Sequence, residues 1–266
     1  MFISRLISSI LILVFVGLTI FVFSNWFFCF VSMVMIAIGL SEFYSMIEKK
    51  GVRTYKYFGT LIGLLIPLSI YMEFQLTKGW ELLFVTAACL TVFIMQLVRR
   101  ETDQATLSVS TTMFGILYVS WFFSFIIKLK LLTDGAALVA FLVLVTKCSD
   151  MGAYAFGSLF GRHTLIQRIS PKKTWEGLLG GFFSSVLVAY LSKGLIPEMP
   201  ILHVFSVGIL LGGIAQIGDL YESLLKRDCQ TKDSSGLFPG LGGMLDIIDS
   251  IIFTAPIFYF YVKFFL

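Results

Sequence analysis

The stretch from Gly218 to Ser250 reads GDLYESLLKRDCQTKDSSGLFPGLGGMLDIIDS, and apolar runs flank it at 202–217 and 248–265. Charge beside a bilayer core is costly and is tolerated where it lines a polar site. Acids and bases alternate along this stretch, a mixture that suits a metal ion and phosphate groups held at one place. The stretch therefore predicts membrane-spanning helices that carry a polar site at one membrane face.

The composition of the whole chain supports this prediction. Of the 266 residues, 58% are hydrophobic and 14% are charged, whereas a soluble domain has about 25% charged residues. A spanning helix needs roughly 20 mostly apolar residues. We therefore expect an all-α, polytopic helical integral membrane protein. Nine approximate span cores are predicted, at 6–23, 27–46, 58–72, 81–98, 112–127, 131–146, 178–192, 202–217 and 248–265.

The placement of charge predicts the orientation of these spans. With the N-terminus in the cytoplasm, most of the 20 Lys and Arg residues fall on the cytoplasmic side, as membrane proteins prefer. Two polar loops, 147–177 and 218–247, fall on that side too. The first run has no small-x-small cleavage site after it and is expected to be a retained span. We divide the chain into N-terminal transmembrane scaffold helices, 1–132, and a C-terminal transmembrane catalytic region, 133–266.

The sequence lacks the signatures of several common sites. Its four cysteines form no CxxC pair and have no His at ligand spacing, which argues against a zinc site. It has no Walker A motif and no GxSxG element. Chemistry would therefore depend on the acids and bases of the polar loops.

The first polar loop offers one acid and a pair of lysines. Asp150 directly follows an apolar run. Ser170 and Pro171 predict a helix start, with Ser as N-cap and Pro in the first turn. Lys172 and Lys173 would then lie at a helix N-terminus, which favours anions and suggests a phosphate site. The alternative is that both lysines are anchors that meet anionic lipid headgroups.

The second polar loop offers a set of aligned acids. Asp219, Glu222 and Lys226 are spaced to share one face of a helix. Asp246 and Asp249 are three residues apart at the start of the last span, so both carboxylates would point the same way. The alternative is that they only cap that helix start. Carboxylates bind Mg²⁺, and Lys and Arg neutralise phosphates, so the pattern indicates phosphoryl or nucleotidyl transfer.

Two pairs of motifs resemble the phosphatidate cytidylyltransferases, the CDP-diacylglycerol synthases. In the second loop, S-x-x-K-R-x4-K-D covers 223–233 and P-G-x-G-G-x-x-D-x-x-D covers 239–249. In the first loop, S-D-x-G-A-Y-x-x-G-x-x-F-G-R covers 149–162 and I-S-P-K-K-T-W-E-G covers 169–177. Together these motifs cover roughly the C-terminal half of the chain.

The resemblance implies a reaction and a set of site residues. CTP and phosphatidic acid would give CDP-diacylglycerol and pyrophosphate, with Mg²⁺ required and a monovalent cation such as K⁺ as an open addition. The implied metal ligands are Asp219, Asp246 and Asp249. The implied catalytic residues are Asp219, Lys226, Arg227, Lys232, Asp233, Asp246 and Asp249. The implied substrate-binding residues are Asp150, Ser170, Lys172, Lys173, Ser223, Gly242 and Gly243.

The implied setting is a membrane enzyme of phospholipid biosynthesis. We expect a bacterial inner membrane location, with the N-terminus and the active site in the cytoplasm. The expected partners are CTP, phosphatidic acid and the lipid bilayer. A homodimer is left open, and no nucleic acid is expected.

Two departures from the family pattern and two alternative functions qualify the resemblance. Leu241 stands where the family usually has His, and Ile247 where it usually has Arg. Neither replacement can donate a hydrogen bond from its side chain or carry charge, so we expect a slower but active enzyme.

The alternative functions are another membrane lipid phosphotransferase or kinase and a transporter. A transporter would typically show broken helices in two corresponding halves, whereas these polar motifs crowd into one half.

Overall fold

The computed structural model describes residues 14–72, 80–99, 103–238, 240 and 242–265. The described part is mostly helical, and residues 14–21 form its first helical segment. One two-stranded antiparallel hairpin joins β1 (Thr164–Ile166) to β2 (Ser170–Thr174). The helices that follow residues 14–21 are α1 (Asn25–Lys49), α2 (Lys56–Tyr71), α3 (Trp80–Val98), α4 (Ala105–Lys130, with π-helical geometry at Ile116–Trp121), α5 (Gly135–Phe160), α6 (Trp175–Leu191), α7 (Ile201–Asp228) and α8 (Met244–Phe265).

Six of the described helices are long and apolar enough to cross a membrane: α1, α4, α5, α6 with the short 3₁₀ segment after it, α7 and α8. Helix α2 and residues Leu82–Val98 of α3 are apolar but shorter. The predicted class, an all-α polytopic membrane protein, is confirmed. The first predicted span, 6–23, lies mostly outside the described residues, and the count of nine spans stays a prediction.

Two helices extend beyond the apolar runs that predicted them. Helix α5 continues past the predicted end at 146 to Phe160, so the first half of the predicted loop 147–177 is helical. Helix α7 continues past 217 to Asp228. A helix that packs on protein neighbours can remain helical after its sequence becomes polar. Both long helices therefore carry their polar residues on a rigid backbone.

The predicted helix start at Ser170 is wrong. Residues Ser170–Thr174 form strand β2, and α6 begins at Trp175. Thr174 is the N-cap, and its side-chain oxygen accepts a hydrogen bond of 3.1 Å from the Gly177 N–H. The Ser-Pro signal is local, whereas pairing with β1 gives this segment backbone partners as a strand. The N-cap of α6 is therefore Thr174, four residues after Ser170.

The chain divides into two compact units. Unit 1 contains the residues up to Leu131 together with Cys229–Ile247. Its core includes the fully buried Tyr44, whose hydroxyl donates to the Thr112 carbonyl at 2.9 Å.

Unit 2 contains Leu132–Asp228 and the residues from Ile248 onward. Helices α5, α6 and α7 pack through small residues, as membrane helices commonly do. A side chain at Gly152 would overlap Ser184, and one at Gly212 would overlap Ser185. Helix α8 joins α5 through a hydrogen bond of 3.2 Å between the Thr146 and Thr254 hydroxyls. This close packing lets short polar side chains on neighbouring helices reach one another.

Candidate active site

Helices α5 and α8 bring four polar side chains together within unit 2. Lys147 and Asp150 are neighbours on α5, and the Lys147 Nζ lies 3.2 Å from the Asp150 Oδ2. The Oδ1 of Asp249, on α8, lies 3.7 Å from the same Nζ. Lys147 also donates a hydrogen bond of 2.8 Å to the Ser250 hydroxyl oxygen. One ammonium group is thus surrounded by two carboxylates and a hydroxyl.

Ser250 links the two carboxylates. Its hydroxyl donates to the Asp150 Oδ2 at 2.8 Å, and its backbone N–H donates to the Asp249 Oδ1 at 2.6 Å. The other oxygen of Asp150, Oδ1, is buried and has no hydrogen-bond partner among the described residues. A buried polar atom without a partner is costly. That oxygen is therefore a candidate ligand for a cation.

Helix α7 adds a third carboxylate, that of Asp219. The preceding residue, Gly218, lies so close to α8 that a Cβ there would sit 3.0 Å from the Asp249 carbonyl oxygen and 3.2 Å from the Ser250 Cα. This approach leaves Asp219 near enough to Lys147 and Asp249 to interact with both electrostatically. A glycine at 218 is therefore part of what brings the acids together.

Strand β2 adds a second lysine. The Lys173 Nζ lies 2.9 Å from the Asp219 Oδ2 and 3.4 Å from the Ser223 hydroxyl. Lys172 is exposed, because neighbouring side chains of a strand point to opposite faces. The two lysines therefore do not act as a pair at a helix N-terminus. We call Lys147, Asp150, Lys173, Asp219 and Asp249 the acid–lysine cluster.

Two predicted phosphate ligands on α7 have protein partners. Lys226 forms an ion pair with Glu222, which lies one turn earlier and is fully buried. The Arg227 Nε donates to the Ile169 carbonyl at 3.3 Å. To bind phosphate through these atoms, either side chain would have to exchange its present partner. The predicted substrate residue Ser170 is half-buried in β2.

Unit 1 contains a separate polar cluster around Glu42 of α1, which is 7% exposed. Its carboxylate accepts hydrogen bonds from the Ser234 and Ser235 hydroxyls at 3.0 and 2.5 Å. It also accepts from the backbone N–H groups of Met244 and Leu245 at 3.0 and 2.8 Å. Those two N–H groups belong to the first turn of α8 and have no partner within the helix. Glu42 therefore caps α8 from another part of the chain.

Asp246 belongs to this Glu42 cluster. Its Oδ2 accepts from the Ser234 and Gly243 N–H groups at 2.9 and 2.7 Å. It also lies 2.7 Å from the Ser234 hydroxyl, whose single proton it shares with Glu42. A side chain at the third helical position that accepts from the N-cap N–H forms half of a capping box. A Cβ at Gly243 would overlap the Ser234 and Glu42 oxygens. Asp246 thus caps the start of α8, and its role as a metal ligand stays a prediction.

The remaining predicted site residues lie in the loop before α8. Lys232 and Asp233 are exposed. Gly242 has a φ of 92°, a left-handed conformation that favours glycine, and it pairs through its backbone with Phe238. Leu241, one of the two departures from the family pattern, lies outside the described residues.

The profile of the cytidylyltransferase family matches residues 3–265. The chain belongs to this family. A phosphatidate cytidylyltransferase of Synechocystis sp. is 30% identical over 97% of this chain and 95% of that protein. One of Thermotoga maritima is 32% identical over 79% of each chain. An uncharacterised protein of Escherichia coli is 35% identical over 58% of this chain, which covers 51% of that protein.

These similarities confirm the family resemblance. Together with six long apolar helices, they identify an integral membrane protein of the cytidylyltransferase family. The Synechocystis and Thermotoga relatives are named for phosphatidate, a lipid that carries a phosphate group.

The side chains of the acid–lysine cluster are chemically suited to bind a magnesium ion. It supplies carboxylate oxygens, the ligands that Mg²⁺ prefers, and Mg²⁺ usually binds through one or two carboxylates together with substrate phosphates. The buried Asp150 Oδ1 without a partner is a further oxygen of the right kind. Across the described ranges, no three His, Cys, Asp or Glu side chains are grouped closely enough to hold a metal by themselves. Substrate phosphates would have to complete such a site.

The residues at the centres of these two clusters, Glu42 and Lys147, are not among the site residues that the sequence predicted. Glu42 is an acid inside the predicted span 27–46, and Lys147 directly follows the apolar run 131–146. A charged residue within or beside a span is by default a candidate functional residue with a partner. That signal was present, but the partners of Glu42 lie far away in the sequence, as do Asp249 and Ser250, two of the three partners of Lys147.

Proposed function

We propose that this protein transfers the CMP group of CTP to phosphatidic acid, which forms CDP-diacylglycerol and releases pyrophosphate for phospholipid biosynthesis. The observation that carries the proposal is the acid–lysine cluster, in which Lys147 pairs with Asp150 and Asp249 and Lys173 pairs with Asp219. The similarity to named phosphatidate cytidylyltransferases over most of the chain supports the choice of substrates. Residues far from this cluster would serve mainly to hold the fold.

In this proposal Asp219 and Asp249 hold Mg²⁺ together with CTP phosphates. When bound, the ion would neutralise charge on the triphosphate and on the departing pyrophosphate. The Oδ1 of Asp150 would accept a hydrogen bond or a cation contact that it lacks among the described residues. Asp246 remains a predicted additional ligand.

Lys173 is the residue best arranged to hold a CTP phosphate. Its ammonium group contacts both Asp219 and Ser223, so it holds the Asp219 carboxylate in place before nucleotide arrives. A phosphate oxygen of CTP would then accept a hydrogen bond from this ammonium group in place of the Asp219 carboxylate. The carboxylate would then be available to hold the ion. Arg227 is largely exposed and would contact a phosphate at the edge of the site. Lys232, in unit 1, remains a predicted phosphate ligand on its sequence motif alone.

The reaction requires no covalent enzyme intermediate. An oxygen of the phosphatidate phosphate attacks the α-phosphorus of CTP. The new P–O bond forms as the bond to the bridging oxygen of the β-phosphate breaks, and pyrophosphate leaves with that electron pair. A phosphate monoester is already largely ionised near neutral pH, so the attack does not depend on a general base. Positioning and electrostatic stabilisation would supply the catalysis.

We further propose that the cluster faces the cytoplasm in a bacterial inner membrane. The distribution of Lys and Arg along the sequence supports this orientation. Phosphatidate would present its headgroup at that face while its acyl chains stay in the bilayer.

The test uses purified full-length protein in mixed micelles with phosphatidate, Mg²⁺ and CTP labelled at either the α- or the γ-phosphate. Cytidylyl transfer moves only the α-label into lipid, and EDTA should stop it. A lipid kinase, the main alternative, would move only the γ-label.

A matched pair of variants connects the activity to the cluster. Asp219→Asn should lose the α-label transfer, whereas Asp134→Asn should keep it, because Asp134 is an exposed acid just before α5. Transfer of the γ-label, or no transfer from folded protein, would overturn the proposal.

A further inference from the structure

Lys147 occupies a position that the proposed reaction does not use. Its ammonium group faces the Asp150 Oδ2, the Asp249 Oδ1 and the Ser250 hydroxyl oxygen at 3.2, 3.7 and 2.8 Å. The Asp219 carboxylate lies within electrostatic reach. Two carboxylates and one hydroxyl therefore contact a single half-buried cation, and the third carboxylate pairs with Lys173. An ordinary surface ion pair joins one cation to one acid and contributes little.

The oxygen surroundings of Lys147 are those that a bound monovalent cation would have. An ammonium group and a potassium ion carry the same charge, have similar sizes and prefer oxygen neighbours. The ammonium group differs in being attached to α5 by the lysine side chain, so its local concentration is fixed. It cannot dissociate when the salt composition changes.

The helix that carries Asp249 provides no alternative cation nearby. Within Met244–Phe265 the only basic residue is Lys263, at the far end of the helix. Ile247 and Ile248, which precede Asp249, are apolar. The positive charge beside Asp249 therefore comes from α5, through Lys147. Without it, the carboxylates of Asp150 and Asp249 would repel one another, which would weaken the arrangement that the reaction needs.

We propose that Lys147 is a tethered monovalent cation, a positioning residue that holds the carboxylates of Asp150 and Asp249 in register so that the enzyme needs no dissociable K⁺. This inference rests on the proposed cytidylyl transfer. Lys147 acts through the acids and does not contact substrate.

The first test measures CDP-diacylglycerol formation at fixed Mg²⁺ and fixed ionic strength in potassium, methylammonium or tetramethylammonium chloride. The original protein should be equally active in all three salts. Lys147→Met should be roughly 100-fold slower in tetramethylammonium chloride. Potassium or methylammonium should restore at least part of that loss, because each fits the space left by the ammonium group. Lys147→Arg should keep more activity than Lys147→Met.

The second test does not depend on activity. The melting temperature of Lys147→Met in detergent should rise when potassium replaces tetramethylammonium, whereas that of the original protein should not change. Adding Asp150→Asn to Lys147→Met should raise the melting temperature, because it removes one of the acids left without a cation. Lys193→Met, a change of the same kind in the 3₁₀ segment after α6, should show no response to potassium.

The outcomes separate this inference from the proposed function. If the original protein makes no CDP-diacylglycerol but the melting temperature of Lys147→Met responds to potassium, the cation role holds and the proposed reaction fails. If folded Lys147→Met is fully active, or if neither its activity nor its melting temperature responds to small cations, Lys147 is not a tethered cation. A purely structural lysine would lower stability in every salt alike.

Discussion

In unit 1 the carboxylate of Glu42 accepts four hydrogen bonds from uncharged hydroxyl and backbone N–H groups, whereas in unit 2 the carboxylates of Asp150 and Asp249 face the ammonium group of Lys147. Two of the donors to Glu42 are backbone groups of a helix start and cannot leave without unwinding it. Asp150 and Asp249 share one cation, and Asp150 Oδ1 has no partner within the described ranges.

The groups that balance a buried carboxylate indicate whether it stabilises the fold or takes part in the chemistry. A carboxylate whose oxygens are held by neutral backbone donors stabilises one conformation and has little to exchange. A carboxylate balanced by a cation can accept a metal ion or release its cation to a phosphate. By this rule the Glu42 cluster orders the loop before α8, and the proposed reaction is assigned to the acid–lysine cluster.

The largest effect is expected from Asp249→Asn. It removes a proposed metal ligand and leaves Lys147 with one acid fewer, so transfer should fall roughly 100-fold or more while the protein stays folded. The initial rate of CDP-diacylglycerol formation and the melting temperature measure the two properties. Asp134→Asn is the control in the same unit. Near-normal transfer by Asp249→Asn would show that the reaction does not depend on the acid–lysine cluster of unit 2.

A smaller effect is expected from Lys173→Met, which removes the ammonium group that contacts Asp219. The KM for CTP should rise about tenfold, the scale of one lost interaction of about 1.4 kcal/mol. Lys172→Met should raise the KM less, because its side chain points away from that contact in strand β2. Equal effects of the two changes would mean that the lysines act together, as the predicted helix N-terminus would require.

Much of the fold was predictable, because a bilayer demands long apolar helices and the apolar runs are plain in the sequence. The helix ends were not predictable in the same way. Helices α5 and α7 continue into polar sequence because neighbours within unit 2 support them. The hairpin around Ser170 was missed because strand pairing is a tertiary effect, and a local Ser-Pro signal cannot reveal it.

The candidate site was predictable where motifs repeat a family pattern. Those motifs identified Asp150, Lys173 and Asp249 as candidates, and helical spacing with Glu222 and Lys226 identified Asp219. Unit 2 brings these four residues together. Lys147 and Glu42 were missed because their significance depends on partners distant along the chain. The Ser234 hydroxyl, for example, is 192 residues away from Glu42. No local spacing connects residues so far apart.

The structural role of the Glu42 cluster can be tested directly. Glu42→Ala removes the acceptor from four donors, including two at the start of α8, and should lower the free energy of unfolding by about 1–3 kcal/mol. Glu42→Gln keeps one acceptor oxygen and should lower it less. Thermal unfolding in detergent gives the comparison. If Glu42→Ala were as stable as the original protein but inactive, the cluster would belong to the chemistry.

The smallest effect, and the closest test of the comparison, is expected from Asp246→Asn. The sequence motif makes Asp246 a metal ligand, whereas its Oδ2 accepts hydrogen bonds from two backbone N–H groups as part of the Glu42 cluster. An asparagine keeps one acceptor oxygen, so a cap should lose about 1 kcal/mol of stability and retain measurable transfer. A metal ligand should instead lose transfer with little change in the melting temperature. Asp103→Asn is the control, because Asp103 is an exposed acid in the same unit. The transfer rate and the melting temperature then show whether Asp246 caps α8 or binds the metal.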